Sequence, residues 1–190
     1  MNSMASPIER EIKLRFESAA AARGAILGTG AVERRPRQLQ DDRLLDWPDG
    51  RLRERGCTLR VRDQPGAAAL TFKGPRQPGA MKVREELETV VADAPLLIRL
   101  LEQLGLRVWF RYQKYRQEYE LPGVVLTIDE TPIGTFVELE GEERGIMDLA
   151  AAMGRTQRDY VVDSYYTLFA EARGGRLDAG VDMVFDTSPS

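Results

Sequence analysis

Charged and apolar residues alternate along several stretches of the chain, and the first stretch runs over residues 8–16. Glu9, Glu11, Lys13 and Arg15 occupy one parity there, and mainly apolar residues occupy the other. This period of two is typical of a β-strand, because successive side chains point to opposite faces of a sheet. The same pattern predicts further strands over residues 59–62, 70–73, 81–90, 111–121, 124–129 and 134–140.

Other segments have helical character. Asp93 precedes a run of leucines at helical spacing that ends near Gly105, and Ser164 precedes a second such segment. Asp and Ser are favoured N-caps, and Gly commonly follows the end of a helix. An alanine-rich stretch and a short amphipathic stretch complete the set. The predicted helices cover residues 17–27, 94–104, 146–153 and 165–172.

Length and composition favour one globular domain. The 190 residues are 43% hydrophobic and 30% charged, and no linker or repeat divides them. We therefore expect a single domain over residues 1–175, followed by a tail over residues 176–190 that lacks periodicity and is loosely ordered. No apolar run has the roughly 18 residues of a membrane helix, and the first residues do not resemble a signal peptide. We expect a cytoplasmic protein without a membrane partner.

The residue types that are missing restrict the chemistry. The chain has no histidine, which excludes Ser-His-Asp and Cys-His nucleophilic systems and His-ligated zinc. Cys57 is the only cysteine, so an intramolecular disulfide is excluded. The net charge of −3 gives no overall attraction to nucleic acid, and the basic run over residues 34–37 is typical of a solvated loop. Catalysis must use carboxylates, Lys, Arg, Tyr or a hard metal ion.

The charged parity of the strands is unusual for a solvated sheet face. Residues of the same sign recur two positions apart, as in Glu138 and Glu140 or Arg60 and Arg62. Like charges on one face repel each other, so folding alone does not favour this pattern. A closed barrel with these charges in its lumen and helices outside explains it. We therefore predict a β-dominated α+β fold built on a closed antiparallel β-barrel.

The lumen of such a barrel would contain both bases and acids. This combination predicts an anion held by Lys and Arg and bridged to carboxylates by Mg²⁺ or Mn²⁺, which prefer oxygen ligands. No P-loop motif is present. The lumen bases are Lys13, Arg60, Arg62, Lys73, Arg84, Lys114 and Arg116, and the lumen acids are Glu9, Glu11, Glu86, Glu88, Asp129, Glu138 and Glu140.

An ordered set of motifs resembles the CYTH superfamily, the triphosphate tunnel metalloenzymes. This superfamily includes class IV adenylyl cyclases, thiamine triphosphatases and inorganic tripolyphosphatases. The resemblance implies an eight-stranded antiparallel tunnel that binds triphosphate compounds with Mg²⁺ or Mn²⁺. The motifs are E-R-E-I-K at 9–13, D-R-L-L-D at 42–46, L-R-V-R at 59–62, T-F-K-G-P at 71–75, R-E-E-L-E at 84–88, K-Y-R at 114–116, I-D-E at 128–130, G-T-F-V-E-L-E at 134–140 and S-Y at 164–165.

The resemblance also implies roles for individual residues. Glu9, Glu11, Glu138 and Glu140 correspond to the main metal ligands, and Glu86, Glu88 and Asp129 would assist a second ion. The phosphate-binding set would comprise Lys13, Arg60, Arg62, Lys73, Arg84, Lys114 and Arg116. The chain differs from the family at Leu44 and Leu45, where an aromatic pair is usual.

Three functions remain open from the sequence. The first is hydrolysis of a triphosphate such as tripolyphosphate, thiamine triphosphate or a nucleoside triphosphate. The second is conversion of ATP to cyclic AMP and pyrophosphate, and the third is binding of polyphosphate or nucleotide without catalysis. We favour hydrolysis, with Lys13 and Lys114 as candidate catalytic bases, and expect a monomer or homodimer. Trp47 and Trp109 are predicted to be packing residues.

Overall fold

The computed structural model describes residues 8–175, 177–178 and 180–186. Eight strands form a closed barrel in the order β1-β5-β4-β3-β2-β6-β7-β8, and every neighbouring pair is antiparallel. The predicted fold class is confirmed. The strands are β1 (Ile8–Phe16), β2 (Val32–Asp46), β3 (Thr58–Gln64), β4 (Ala67–Lys73), β5 (Lys82–Val91), β6 (Arg107–Leu121), β7 (Val124–Thr131) and β8 (Gly134–Gly141).

Five α-helices accompany the barrel within the described residues. Asp93 and Ser164 cap α3 and α5 as predicted, since their side chains accept hydrogen bonds from the backbone N–H groups of Leu96 and Thr167. The helices are α1 (Ala19–Gly28), α2 (Arg51–Glu54), α3 (Ala94–Gln103), α4 (Glu143–Ala152) and α5 (Tyr165–Ala172), with a 3₁₀ turn at Gln157–Asp159.

Strand β2 is the one that alternation did not predict. Its register against β6 shifts between Glu33 and Arg35 and again between Arg35 and Gln38. Each shift displaces the side chains that follow from one face to the other, so no period of two runs through this strand. Residues 34–37, expected in a loop, lie within β2, and Arg37 donates a 2.6 Å hydrogen bond to Glu130.

The apolar parity of the strands faces outward and is covered by helices. Ile12 and Leu139 pack with Ile26 of α1 and Ile146 of α4, and all four are fully buried. On another side, a second cluster joins β2 and β3 to α3. This arrangement leaves the charged parity in the lumen.

Apolar residues and α5 pack together at one end of the barrel. Leu44, Phe110 and Phe136 come from the end of β2 and the beginnings of β6 and β8, which meet at the same end of an antiparallel barrel. Tyr165 and Phe169 of α5 pack against this group. Of this cluster, Leu44, Tyr112 and Tyr165 line the cavity, so the tunnel has less charged surface at this end than along the rest of its length.

The chain segment after α5 completes the sheet beside β6. Strand β7 pairs with β6 only from Tyr115 onward, which leaves the earlier part of that β6 edge open. Met183 fills it, since its N–H donates to the carbonyl of Arg111 at 3.0 Å and its carbonyl accepts from the N–H of Gln113 at 2.8 Å. The Met183 side chain is fully buried. This attachment was not foreseen from the sequence.

Some of the sequence-based expectations concern residues outside this description. The first seven residues and residues 176, 179 and 187–190 of the predicted tail lie outside the described residues. Among the helices of the described segments, none has the length and apolar character that crossing a membrane would require.

Candidate active site

The barrel encloses a cavity of about 810 Å³. All of the predicted site residues line it except Asp129. The cavity also has lining residues outside the predicted set, including Lys82, Tyr112 and Tyr165. Strand alternation brings the charged side chains together, because each strand contributes every second residue to the lumen.

The carboxylates of β1 are paired with bases from neighbouring strands. Glu9 accepts hydrogen bonds from Lys73 Nζ at 2.7 Å and from Arg84 Nε at 3.1 Å. Glu11 accepts from Lys13 Nζ at 2.8 Å and also from Lys82. Burial alone would raise the pKa of Glu11, but the neighbouring lysines lower it well below its usual value. Glu9 and Glu11 therefore belong to two groups of ion pairs, one through Lys73 and Arg84 and the other through Lys13 and Lys82.

The two acids of β5 belong to the group of ion pairs that contains Glu9. Glu86 lies 2.7 Å from Lys73 Nζ, and Glu88 accepts a 2.8 Å hydrogen bond from the hydroxyl of Thr71. Arg60 lies within 3.9 Å of Glu86 and 3.5 Å of Glu88. These contacts connect the acids predicted to assist a second ion with the bases predicted to hold phosphate.

The lumen lysines differ in their protonation behaviour. Burial alone would lower the pKa of Lys13, but Glu11 and Glu138 raise it above its usual value. Burial and Arg116 lower the pKa of Lys114 to about 8, although Asp129 and Glu138 oppose the shift. Lys13 is thus held as an ammonium, whereas Lys114 loses its proton near the pH range in which enzymes work.

Asp129 lies behind the cavity wall rather than on it. It is fully buried and accepts hydrogen bonds from Lys114 Nζ at 2.7 Å, from Arg116 Nε at 2.7 Å and from the Tyr165 hydroxyl at 2.8 Å. From this position Asp129 orients Lys114, Arg116 and Tyr165. The role expected from the sequence, assistance of a second metal ion, is a different one. Its sequence signal was its parity on β7, which does not reveal whether a side chain is covered.

Asp42 performs a similar task on β2, the other neighbour of β6 in the barrel, and was missing from the predicted site. It is fully buried and accepts hydrogen bonds from Arg62 Nε at 2.9 Å and Nη2 at 3.2 Å. Burial alone would raise the pKa of Asp42, but Arg62 and Arg60 lower it to about 2. The D-R-L-L-D motif was the signal that could have identified it.

Glu140 differs from the other lumen acids. It lies opposite Glu11 in the β1–β8 register, and no hydrogen bond or ion pair to it is found among the described residues. Desolvation and the carboxylates of Glu9 and Glu11 raise the pKa of Glu140 to about 7, although the residue is exposed to solvent, which weakens both effects. The carboxylates of Glu9, Glu11 and Glu140 repel one another, and Glu140 has no basic partner among the described residues. A cation bound between them would reduce this repulsion.

The donor chemistry of this acid group fits a hard divalent cation. All of its ligands would be carboxylate oxygens, which Mg²⁺ and Mn²⁺ prefer. In the arrangement described, no three acidic residues of the described segments already converge as a metal-binding group. Binding an ion would therefore require Glu9, Glu11 or Glu138 to exchange a lysine or arginine partner for it.

The fold and the charged tunnel agree with the comparison to known protein families. A model of the CYTH domain matches residues 7–158 of the chain. The protein belongs to the CYTH domain family.

Individual relatives can also be named. A Methanocaldococcus jannaschii protein described as a candidate adenylate cyclase is 30% identical over 105 residues, and the match spans 55% of this chain and 60% of the length of that curated relative. The structure of the PH1012 protein from Pyrococcus horikoshii is 25% identical, with a TM-score of 0.72 over 84% of this chain and 98% of the other.

A third relative shares the fold at lower identity. It is a Hippeastrum protein, named as a candidate adenylyl cyclase and described as having a dominant triphosphatase activity. It is 19% identical, with a TM-score of 0.64 over 89% of this chain and 97% of the other. At this identity the likeness shows the fold alone.

Proposed function

We propose that this protein hydrolyses triphosphate compounds with the help of Mg²⁺ or Mn²⁺. The observation that carries the proposal is a cavity inside the barrel with more basic than acidic lining residues, in a chain whose net charge is −3. The cavity is therefore locally positive although the chain as a whole is negative, and a cluster of basic side chains attracts and holds a multiply charged anion. A triphosphate is an anion of this kind.

One buried donor of the basic set has no hydrogen-bond acceptor in the part of the chain that the structure describes, although its nitrogen lies 3.6 Å from a carboxylate oxygen of Asp42. Arg60 Nε is buried and has no hydrogen-bond partner among the described residues, although Arg60 Nη2 donates to Thr71 at 3.1 Å. A buried donor without an acceptor is costly, and a phosphate oxygen would satisfy it. Arg62 and Lys73 line the same cavity and supply further donors.

The carboxylates provide the place for the divalent ion. Glu9, Glu11, Glu138 and Glu140 would hold it, and Glu86 and Glu88 lie where they could assist. When bound, such an ion neutralises charge on phosphate oxygens and promotes the attack of water on phosphorus. Bases released from the acids are then available to phosphate.

The lysines divide between binding and proton transfer. Lys13 stays protonated because Glu11 and Glu138 stabilise its charge, so its role is to hold phosphate. Lys114 has a pKa of about 8 and can accept a proton from the attacking water at mildly alkaline pH. Of the two candidate bases, Lys114 is therefore the one that we retain.

Cyclisation of ATP is the second candidate function. It is supported by the names of relatives such as the Methanocaldococcus jannaschii protein, a candidate adenylate cyclase. It uses the same charges but requires the ribose hydroxyl to attack the phosphorus nearest the sugar. The Hippeastrum protein has a name of the same kind but is described as having a dominant triphosphatase activity, so such a name does not decide between the two reactions.

The experiment supplies Mg²⁺ or Mn²⁺ together with tripolyphosphate, thiamine triphosphate or ATP, and identifies products by phosphorus NMR. Hydrolysis predicts orthophosphate together with pyrophosphate from tripolyphosphate, or with the corresponding diphosphate from the organic substrates. Excess chelator should abolish turnover. Cyclic AMP and pyrophosphate as the main products from ATP would establish cyclisation instead. Absence of turnover with all three compounds would contradict catalysis of either kind.

A further inference from the structure

A bulge in β6 turns Trp109 toward the cavity. In the pairing of β2 with β6, Leu44 lies opposite Phe110 and Leu45 lies opposite Val108, so Trp109 has no partner residue. Val108 packs on the outer cluster beneath α3, whereas Trp109 lines the cavity. Bulges are common beside active sites, where they redirect a side chain.

Trp109 belongs to a small group at the edge of the cavity. The ring of Tyr166 lies 4.9 Å from it in an edge-on arrangement, and the guanidinium of Arg53 lies 4.4 Å from the ring centre. The Arg53 side chain is 46% exposed, which places this group where the cavity meets solvent. We call Arg53, Trp109 and Tyr166 the aromatic mouth, and all three line the cavity that contains the lumen bases.

The other tryptophan has a different environment. Trp47 packs in the outer cluster with α3 and does not line the cavity. It also has an arginine over its ring, since the guanidinium of Arg51 lies 4.8 Å from the ring centre. The chain thus provides two half-buried indoles with a stacked arginine, of which only Trp109 is accessible from the tunnel.

We infer that the aromatic mouth binds the planar heteroaromatic ring of an organic triphosphate while the lumen bases hold its phosphates. The inference rests on the proposed function and narrows its substrate class from any triphosphate to one with such a ring. Indole and guanidinium are both planar and both stack on flat ring systems. Asp46 holds the half-exposed Arg53 over Trp109 through a 3.2 Å hydrogen bond from Arg53 Nε, so a ligand ring would stack on the outer face of the guanidinium or against the indole beside it.

The size of the cavity supports the same conclusion. A volume of about 810 Å³ lies in the range of sites that enclose a ligand as large as a drug molecule. Inorganic tripolyphosphate would contact only the charged walls and would leave the aromatic mouth unfilled. A ring attached to the triphosphate would cover apolar surface at the mouth and gain the stacking contact.

Fluorescence of Trp109 gives a direct test of ring binding. The variant Trp47→Phe leaves Trp109 as the only tryptophan, since the chain has two. Titration with ATP and with thiamine triphosphate, each in the presence of Mg²⁺, should quench its emission, and tripolyphosphate should change it much less. Quenching by only one of the two organic compounds would identify which ring fits. Equal responses to all three compounds, or none to either organic compound, would overturn the inference.

Kinetics provide an independent test. Trp109→Leu should raise KM for the organic triphosphate about 5- to 150-fold, the range expected for a lost stacking contact, and should change KM for tripolyphosphate far less. Trp47→Leu is the matched control and should not separate the substrates. An equal loss for organic and inorganic substrates in Trp109→Leu would indicate a packing role and overturn the inference. Absence of wild-type turnover would contradict the proposed hydrolysis, and the fluorescence titration would still decide ring binding.

Discussion

Lys114 donates a hydrogen bond of 2.7 Å from Nζ to the Asp129 carboxylate, and both side chains are almost completely buried. Asp129 also accepts hydrogen bonds from Arg116 and from the hydroxyl of Tyr165. One carboxylate therefore orients two bases of the lumen and connects them to α5, which packs at one end of the barrel.

Asp129→Asn should strongly destabilise the protein. Lys114 and Arg116 would lose the buried charge that compensates them, and breaking a buried pair typically costs about 3–5 kcal/mol. Urea denaturation measures the change in the free energy of unfolding. Asp148→Asn is the control, because its 3.8 Å contact with Arg144 is exposed and such pairs contribute only about 0.5 kcal/mol. Equal effects of the two substitutions would refute an orienting role for Asp129.

Glu140→Gln should stabilise the protein above neutral pH. The pKa of Glu140 is raised from its usual value of 4.5 to about 7, so between these values the folded state binds more protons than the unfolded state. The free energy of unfolding contributed by this group therefore falls as pH rises through this window. Because solvent screens Glu140, we expect a gain of about 1 kcal/mol at pH 8 and none at pH 4.

Urea midpoints at pH 4 and pH 8 measure this difference, with Glu171→Gln on the exposed surface of α5 as the control. Adding Mg²⁺ at pH 8 should raise the unfolding temperature of the wild type more than that of Glu140→Gln. A wild type whose stability is unchanged by Mg²⁺ and Mn²⁺ would argue against a cation at these carboxylates.

Arg60→Ala should weaken the binding of tripolyphosphate by about 10- to 150-fold. The variant removes charge-assisted hydrogen bonds, which contribute roughly 1.5–3 kcal/mol each. Isothermal titration calorimetry measures the affinity, and Lys73→Ala should behave similarly. Arg144→Ala removes a charge from a side chain that is 95% exposed and should leave affinity unchanged. If Arg60→Ala binds as tightly as the wild type, Arg60 lies outside the phosphate site.

The rate of turnover should rise from neutral to alkaline pH. The pKa of Lys114 is about 8, so its unprotonated form becomes abundant above this value, and kcat/KM should show an inflection there. Lys114→Arg should remove the inflection, because a guanidinium does not titrate in this range. Lys13→Arg should retain it. An inflection that survives in Lys114→Arg would assign the proton transfer to another group.

Much of the barrel could be predicted from the alternation of charged and apolar residues. Glu9, Glu11 and Glu138 follow this parity, and the structure places all three in the lumen. Parity identifies the face but not the partner, because partners such as Glu11 and Lys82 are 71 residues apart and meet only through strand pairing. The parity of Asp129 likewise could not show that three donors cover it.

Irregular backbone accounts for most of what was not predicted. Shifts of register in β2 concealed Asp42, and the bulge in β6 turned Trp109 toward the lumen although its parity in the strand indicates the outer face. Met183 pairs with β6 because β7 leaves part of that edge open, a consequence of strand length that no local pattern records.

Glu9 pairs with Lys73 and Glu11 pairs with Lys13, so the charges in the tunnel already compensate one another before any ligand binds. An anion entering alone must displace carboxylates that then have no partner, and a cation entering alone must displace ammonium groups in the same way. When both enter together, each displaced charge finds a new partner, and the total charge compensation inside the barrel is preserved. A triphosphate and its metal ion should therefore bind as a pair, each increasing the affinity of the other by the same factor.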